Sequence, residues 1–123
     1  MPLAGSANES GAAGFVSNVT PTTLITNSQG AGKIVIVAKL LIVNTDLVSD
    51  VTLELYKVPS GGVISGDDYK IRKALLVKPS AGLFGTEDVR EAAGIMLDNG
   101  DSLRALAGTA SKLKWDASVW LES

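Results

Sequence analysis

The chain has 123 residues, 11 basic and 13 acidic side chains for a net charge of −2, no cysteine and no histidine. That length suits one domain with an ordinary hydrophobic core. Without cysteine there is no disulfide framework and no thiolate metal site, and without histidine the commonest general base and transition-metal ligand are missing.

The two signs of charge are interspersed, with no basic stripe of the kind nucleic-acid binders carry. No apolar run approaches the roughly 18 residues of a membrane-spanning helix. No Lys or Arg precedes Lys33, and no apolar block resembles a secretory leader. The expectation is a protein made and kept in a cytoplasm, or built into something assembled there, with neither nucleic acid nor membrane as partner.

Residues 1–21 are rich in Ala, Gly, Ser and Asn, and after Leu3 only Phe15, Val16 and Val19 are bulky and apolar. The segment reads as a flexible or extended N-terminal arm. In a functional role it would lie on a neighbouring molecule and anchor through Phe15 and Val16; otherwise it is a loose terminus. Residues 22–123 read as a single domain. It opens on the β-branched run Thr22-Thr23-Leu24-Ile25-Thr26, followed by a turn over Asn27 to Gly32.

Ile34 to Val43 contains one charge, Lys39, and ends at Asn44-Thr45-Asp46. Strict alternation would send Ile34, Ile36, Ala38, Leu40 and Ile42 one way and Val35, Val37, Leu41 and Val43 the other. Both faces are apolar, so both should be covered by protein. One cover is the domain's own core. The other is either a further layer of this chain or a second molecule, and Val35, Val37 and Leu41 are the candidates for that outer contact.

Val51 to Tyr56 alternates with Val51, Leu53 and Leu55 inward and Tyr56 outward. Pro59-Ser60-Gly61-Gly62 and Ser65-Gly66-Asp67-Asp68 are turns. Tyr69 to Val77 fits a strand or a short helix capped by Asp67 or Asp68, and the surrounding β pattern favours the strand. Thr86 to Ala93 is the best helix candidate, with Thr86 as N-cap, acids in the first turn and Gly94 as terminator. Asn99-Gly100 between two apolar runs predicts a β-hairpin with a type I′ turn. In the last strand Leu113, Trp115, Ala117, Val119 and Leu121 face inward, and Trp120 stands alone as an aromatic on the polar face.

Six to eight short strands with turns every 8–12 residues predict an all-β protein, a β-sandwich or barrel with at most one short helix; the antiparallel, jelly-roll-like β-sandwich is the favoured form.

Motifs that carry chemistry are sparse. Asp98-Asn99-Gly100-Asp101 is too short for a calcium loop and lacks its bidentate Glu, so it reads as a turn. Asp67-Asp68 reads as a solvated acidic pair. Gly30-Ala31-Gly32-Lys33 lacks the spacing and the following helix of a phosphate-binding loop. Ser111 and Ser118 have no histidine base. Asp116 and Glu122 are six positions apart on one strand face, about 20 Å, too far for concerted acid–base work. No catalytic residue, cofactor or metal is expected. Trp120 is the favoured interface anchor, because exposed aromatics on charged faces tend to be hot spots, with Tyr56 a weaker companion.

The segments Leu41-Ile42-Val43-Asn44-Thr45-Asp46, Val51-Thr52-Leu53-Glu54-Leu55-Tyr56 and Leu97-Asp98-Asn99-Gly100-Asp101-Ser102-Leu103-Arg104-Ala105-Leu106-Ala107 resemble a group of small tailed-bacteriophage virion proteins. Those share an apolar strand ending in Asn-Thr, a short loop, an alternating strand, and a Leu-x-x-Gly-Asp-Ser-Leu-x-Ala segment near the end. The resemblance spans about residues 22 to 122 and departs in the long arm and in Thr86 to Ala93.

The resemblance implies a compact β-sandwich or jelly roll on the virion, assembled in the bacterial host cytoplasm. Its favoured role is a non-enzymatic capsid cement or decoration protein, a homodimer or homotrimer that bridges major capsid protein subunits. Collar or tail structural proteins share such sandwiches, and a carbohydrate-binding tail module is the further alternative. Against that module stands the total of two Trp, two Tyr and two Phe.

Overall fold

A computed structural model describes residues 6–8, 15–66, 68–79 and 86–122. It is an all-β sandwich of two antiparallel sheets. The strands are β1 (Ser6–Asn8), β2 (Thr22–Thr26), β3 (Ile34–Asn44), β4 (Val51–Val58), β5 (Lys70–Val77), β6 (Thr86–Asp88), β7 (Met96–Leu97), β8 (Ser102–Ala107) and β9 (Leu113–Glu122).

The pairing is nested like one long hairpin. β4 pairs β5, β3 pairs β6 and β7, β2 pairs β8, and β1 pairs β9. Two further pairings, β3 with β9 and β4 with β8, roll that hairpin into two layers. The first sheet therefore runs β1-β9-β3-β6, with β7 beside β6 on the same edge of β3, and the second runs β2-β8-β4-β5. Nested pairs that alternate between facing sheets make a jelly roll.

Between the sheets lies one core. Leu40, Ile42, Val119, Ala117 and Leu113 from the first sheet pack toward Leu53, Leu55, Leu103 and Ala105 from the second, all fully buried, with Trp115 almost so. β4 and β9 alternate as their sequences require, with Val51, Leu53 and Leu55 inward on one and Leu113, Trp115, Ala117 and Val119 inward on the other.

β3 does not alternate through its length. Val37 is opposite Val119 and Lys39 is opposite Ser118, so Ala38 is an extra residue without a partner on β9. This bulge inverts the phase. Val35 and Val37 point into the core before it, and Leu40, Ile42 and Asn44 after it. The expectation that Val35 and Val37 share an outward face with Leu41 is thus corrected: both valines are core, and Leu41 alone faces out. A run that is apolar on both sides and broken only by Lys39 does not show where its phase changes, so only the pairing could reveal the switch.

The bulge lies opposite a detour on the other edge of β3. Thr86 to Ala93 does not form the expected α-helix. Residues 86–88 are strand β6, paired with Leu41, Ile42 and Val43, followed by a one-turn 3-10 helix, Arg90–Ala92. The N–H of Val89 donates to Leu40 (2.9 Å) and that of Gly94 to Val37 (2.7 Å), while Val37 donates to Ile95 (2.9 Å). The exposed edge of β3 needs partners for these groups, and that need overrides a weak helical preference. Val89 and Ala92 are carried into the core by the detour. Gly94 does end the turn, at φ +88°.

Asn99-Gly100 is not a hairpin turn. β7 belongs to the first sheet and β8 to the second, so the turn crosses between layers. The N–H of Asp101 bonds the Asp98 carbonyl (2.9 Å), and among Asn99 and Gly100 only the glycine has positive φ, +89°. A type I′ turn needs positive φ at both, so this is a type II arrangement. Tyr69 to Val77 resolves as strand rather than helix, with Asp68 in a turn closed by its N–H to the Ser65 carbonyl (3.1 Å). Asp67, the alternative cap, lies outside the described residues, as do 1–5 and 9–14 of the arm.

The described part of the arm lies on its own domain. Ser6–Asn8 is an edge strand on β9, and Phe15 bridges Lys114. The Val16 N–H donates to Leu113 (2.8 Å), and its side chain is fully buried. Val16 as an anchor on a neighbour is therefore corrected to a core residue.

Candidate functional site: the outer face of the first sheet

In antiparallel pairs, residues directly opposite point to the same side. The outward rows of the first sheet can accordingly be read from the register. Glu122 faces Ile34. Trp120 faces Ile36, which faces Met96 on the far side. After the bulge, Ser118 faces Lys39, Asp116 faces Leu41 and Leu41 faces Asp88, and Lys114 faces Val43.

The second of these rows is the functional candidate. Trp120, Ile36 and Met96 form an unbroken apolar line across β9, β3 and β7. Trp120 is 37% exposed, Met96 is 55% exposed and Ile36 is half-buried. At about 4.8 Å between strands the line is about 10 Å long before side chains are added. The row is paired on both sides: β1 pairs Ser6 with Trp120, and β7 pairs Met96 with Ile36.

Opposite charges flank the row. On the strand-end side is Glu122, half-buried, and on the sheet-centre side is Lys39, exposed. Neither forms an ion pair among the described residues. Farther along are the exposed Asp116, Asp88 and Lys114. Phe15, 41% exposed, lies beneath the Lys114 ammonium, 5.3 Å from its ring centre.

Of the residues expected to form an interface, Trp120, Leu41 and Phe15 lie on this face, but only Trp120 is in the apolar row: Leu41 is opposite Asp116 and Phe15 opposite Lys114, two and three rows away. Val35, Val37 and Val16 are in the core. Met96 and Ile36 belong to the site and were not predicted; their partnership rests on β7 pairing with β3, for which the sequence carries no signal.

Tyr56 lies on the opposite sheet and does point outward, as alternation predicts, but it is 3% exposed. Its hydroxyl donates to Glu54 Oε2 (2.8 Å), and the same carboxylate pairs with Lys70 Nζ (3.2 Å), which lies 5.5 Å above the tyrosine ring. Burial, then Glu54, pushes the phenol above its ordinary value of 10.0. Tyr56 is thus corrected from an anchor to a covered member of a closed polar cluster. Lys70, directly opposite on β5 with its ammonium over the ring, and Glu54 on the hydroxyl are the neighbours that alternation alone does not reveal.

A shallow groove on the second sheet is lined by Asn18, Thr52, Glu54, Leu106, Ala107 and Gly108. Among the described residues that line it there is no aromatic platform for a sugar and no pair of facing acids.

A second apolar feature is the loop between β3 and β4. Leu47 is 66% and Val48 83% exposed. The loop is nonetheless well tied. Asp46 Oδ1 accepts from the N–H groups of Val48 (2.8 Å) and Ser49 (2.9 Å), Thr45 bonds the Lys112 carbonyl through both N–H and hydroxyl, and Lys112 pairs with Asp46 (3.6 Å). The two N–H groups, with Lys112 adding to them, hold the Asp46 carboxyl below its ordinary value.

Among the described residues no group of His, Cys, Asp or Glu is placed to hold a metal ion, and no helix is long and apolar enough to cross a membrane. No family model, no curated protein and no solved structure matches the chain, so the reading of its role rests on the outer face of the first sheet and the order of its strands.

Proposed function

We propose that this chain is a structural component of a bacteriophage virion, a capsid cement or decoration protein that stabilises the head by bridging major capsid subunits. The observation that carries the reading is the apolar row Trp120–Ile36–Met96, lined up by strand pairing on the outside of a jelly roll. An exposed apolar line of this kind is maintained where another protein covers it. Jelly rolls recur in capsid proteins, which supports the reading by analogy of fold alone.

Two surfaces suit a clamp. The row is an assembly face, and the Leu47-Val48 tip, prefixed by its hydrogen bonds, offers a second contact with little entropy to lose on binding. The test is cosedimentation of the purified protein with expanded capsid shells. Saturable binding at a fixed ratio to the major capsid subunit is expected, lost in Leu47→Asp/Val48→Asp. A protein that ignores shells at every concentration overturns the reading.

A further inference from the structure

The charges around the apolar row specify what covers it. Along the strands, Glu122 lies one row to one side and Lys39 one row to the other. A partner surface of uniform charge would match one flank and oppose the other. A second copy of the same face matches both, provided that it is turned by a twofold axis lying along the row.

We infer that the outer face of the first sheet is the dimer interface of this protein, with a twofold axis running along Trp120, Ile36 and Met96 in the plane between the stacked sheets. The inference rests on reading that face as an assembly surface and names its occupant. The operation turns each strand end for end and keeps its lateral place. Trp120 packs on Trp120, Ile36 on Ile36 and Met96 on Met96, so the exposed apolar line covers itself.

The same rotation carries Glu122 of one copy over Ser118 of the other. Lys39 is opposite Ser118 on the neighbouring strand, one spacing of about 4.8 Å away, within reach of a lysine side chain. Two Glu122–Lys39 pairs therefore close the interface, one on each flank, as an isologous contact demands. Asp116 and Asp88 fall beyond the second copy's strand ends and stay in water. Sheets stacked in this way lie about 10 Å apart, the spacing already found in sandwich cores.

Sedimentation velocity on the full chain tests the arrangement. Wild type should show a concentration-dependent dimer with no larger species, whereas Trp120→Arg should be monomeric. Glu122→Lys and Lys39→Glu should each weaken the dimer by about tenfold, since each places like charges opposite one another. The double variant Glu122→Lys/Lys39→Glu should regain wild-type affinity to within about twofold. Circular dichroism establishes that each variant is folded, and the charge swaps at surface positions decide the matter even if Trp120→Arg does not fold.

A wild-type monomer at concentrations up to about 0.5 mM, a dimer untouched by Trp120→Arg, or a double variant as weak as the sum of its single changes would each overturn the inference. These outcomes are independent of shell binding. A monomer that still decorates shells removes the dimer and leaves the proposed function, and a dimer that ignores shells does the reverse.

Discussion

Asn27 and Asn44 make the same three hydrogen bonds at opposite ends of β3. Each side-chain oxygen accepts from the N–H two residues on, Gln29 and Asp46 respectively, at 2.9 Å. Each amide donates once into its own loop, to the carbonyls of Lys33 and Ser49 (2.9 Å), and once to the end of a distant strand, Leu97 (2.7 Å) or Val77 (2.9 Å). Both residues are fully buried. The two asparagines thus tie down the ends of the longest strand, Asn27 through Leu97 of β7 in the same sheet and Asn44 through Val77 of β5 in the other.

Replacing either by alanine leaves buried carbonyls without a donor. Asn27→Ala and Asn44→Ala should each cost about 3 kcal/mol in urea unfolding at pH 7. Values under about 1 kcal/mol would mean that water takes over these bonds.

The two tryptophans should separate cleanly. Trp115 is a core residue on the same side of β9 as Ala117 and Val119, and Trp120, five residues on, is a surface residue on the opposite side. Trp115→Ala should lose about 3–5 kcal/mol of stability as a core truncation. Trp120→Ala, measured in dilute solution, should lose about 1 kcal/mol. Equal losses would show that Trp120 contributes to the monomer core.

Deleting Ala38 is expected to be tolerated. Without it, Val37, Lys39 and Leu40 would face Val119, Ser118 and Ala117 in unbroken sequence, and every inward residue of β3 would keep its side. Deleting Ile36 instead would shift Ile34 and Val35 to the wrong faces. Circular dichroism and thermal melting should therefore find ΔAla38 folded with a lowered Tm, and ΔIle36 unfolded. If the two deletions behave alike, the bulge does not set the phase of the strand.

Two groups give stability a dependence on pH, with opposite signs. In the folded chain Asp46 titrates below its ordinary 3.8, chiefly through the N–H groups of Ser49 and Val48. Its contribution is present above about pH 4 and is lost as pH falls from there through the lowered value. Tyr56 titrates above its ordinary 10.0, chiefly through burial. Its contribution is present below pH 10 and is lost as pH rises through the raised value. Asp46→Asn should flatten the acid limb of a stability profile and Tyr56→Phe the alkaline limb. A profile in which either substitution leaves its limb unchanged would assign that limb to other groups.

The sequence by itself determined the all-β class, the inward sets of β4 and β9, and Trp120 as an outward aromatic. In each case apolar and polar residues alternate, and alternation in a strand is a statement about which side is wet. It also marked Val51 to Tyr56 and the last strand as half-exposed, because their outward positions are polar.

Where alternation is absent, tertiary structure decided. Ile34 to Val43 is apolar on both sides, so the bulge at Ala38 and the true inward set follow only from pairing with β9. Thr86 to Asp88 became a strand because the open edge of β3 required backbone partners, and Asn99-Gly100 became a crossing because β7 and β8 found partners in different sheets. Tyr56 joins a polar cluster because β5 brings Lys70 directly opposite it, with the ammonium over the ring. The apolar row is of the same kind: Trp120, Ile36 and Met96 are far apart in the chain, and only the register of three strands brings them into line.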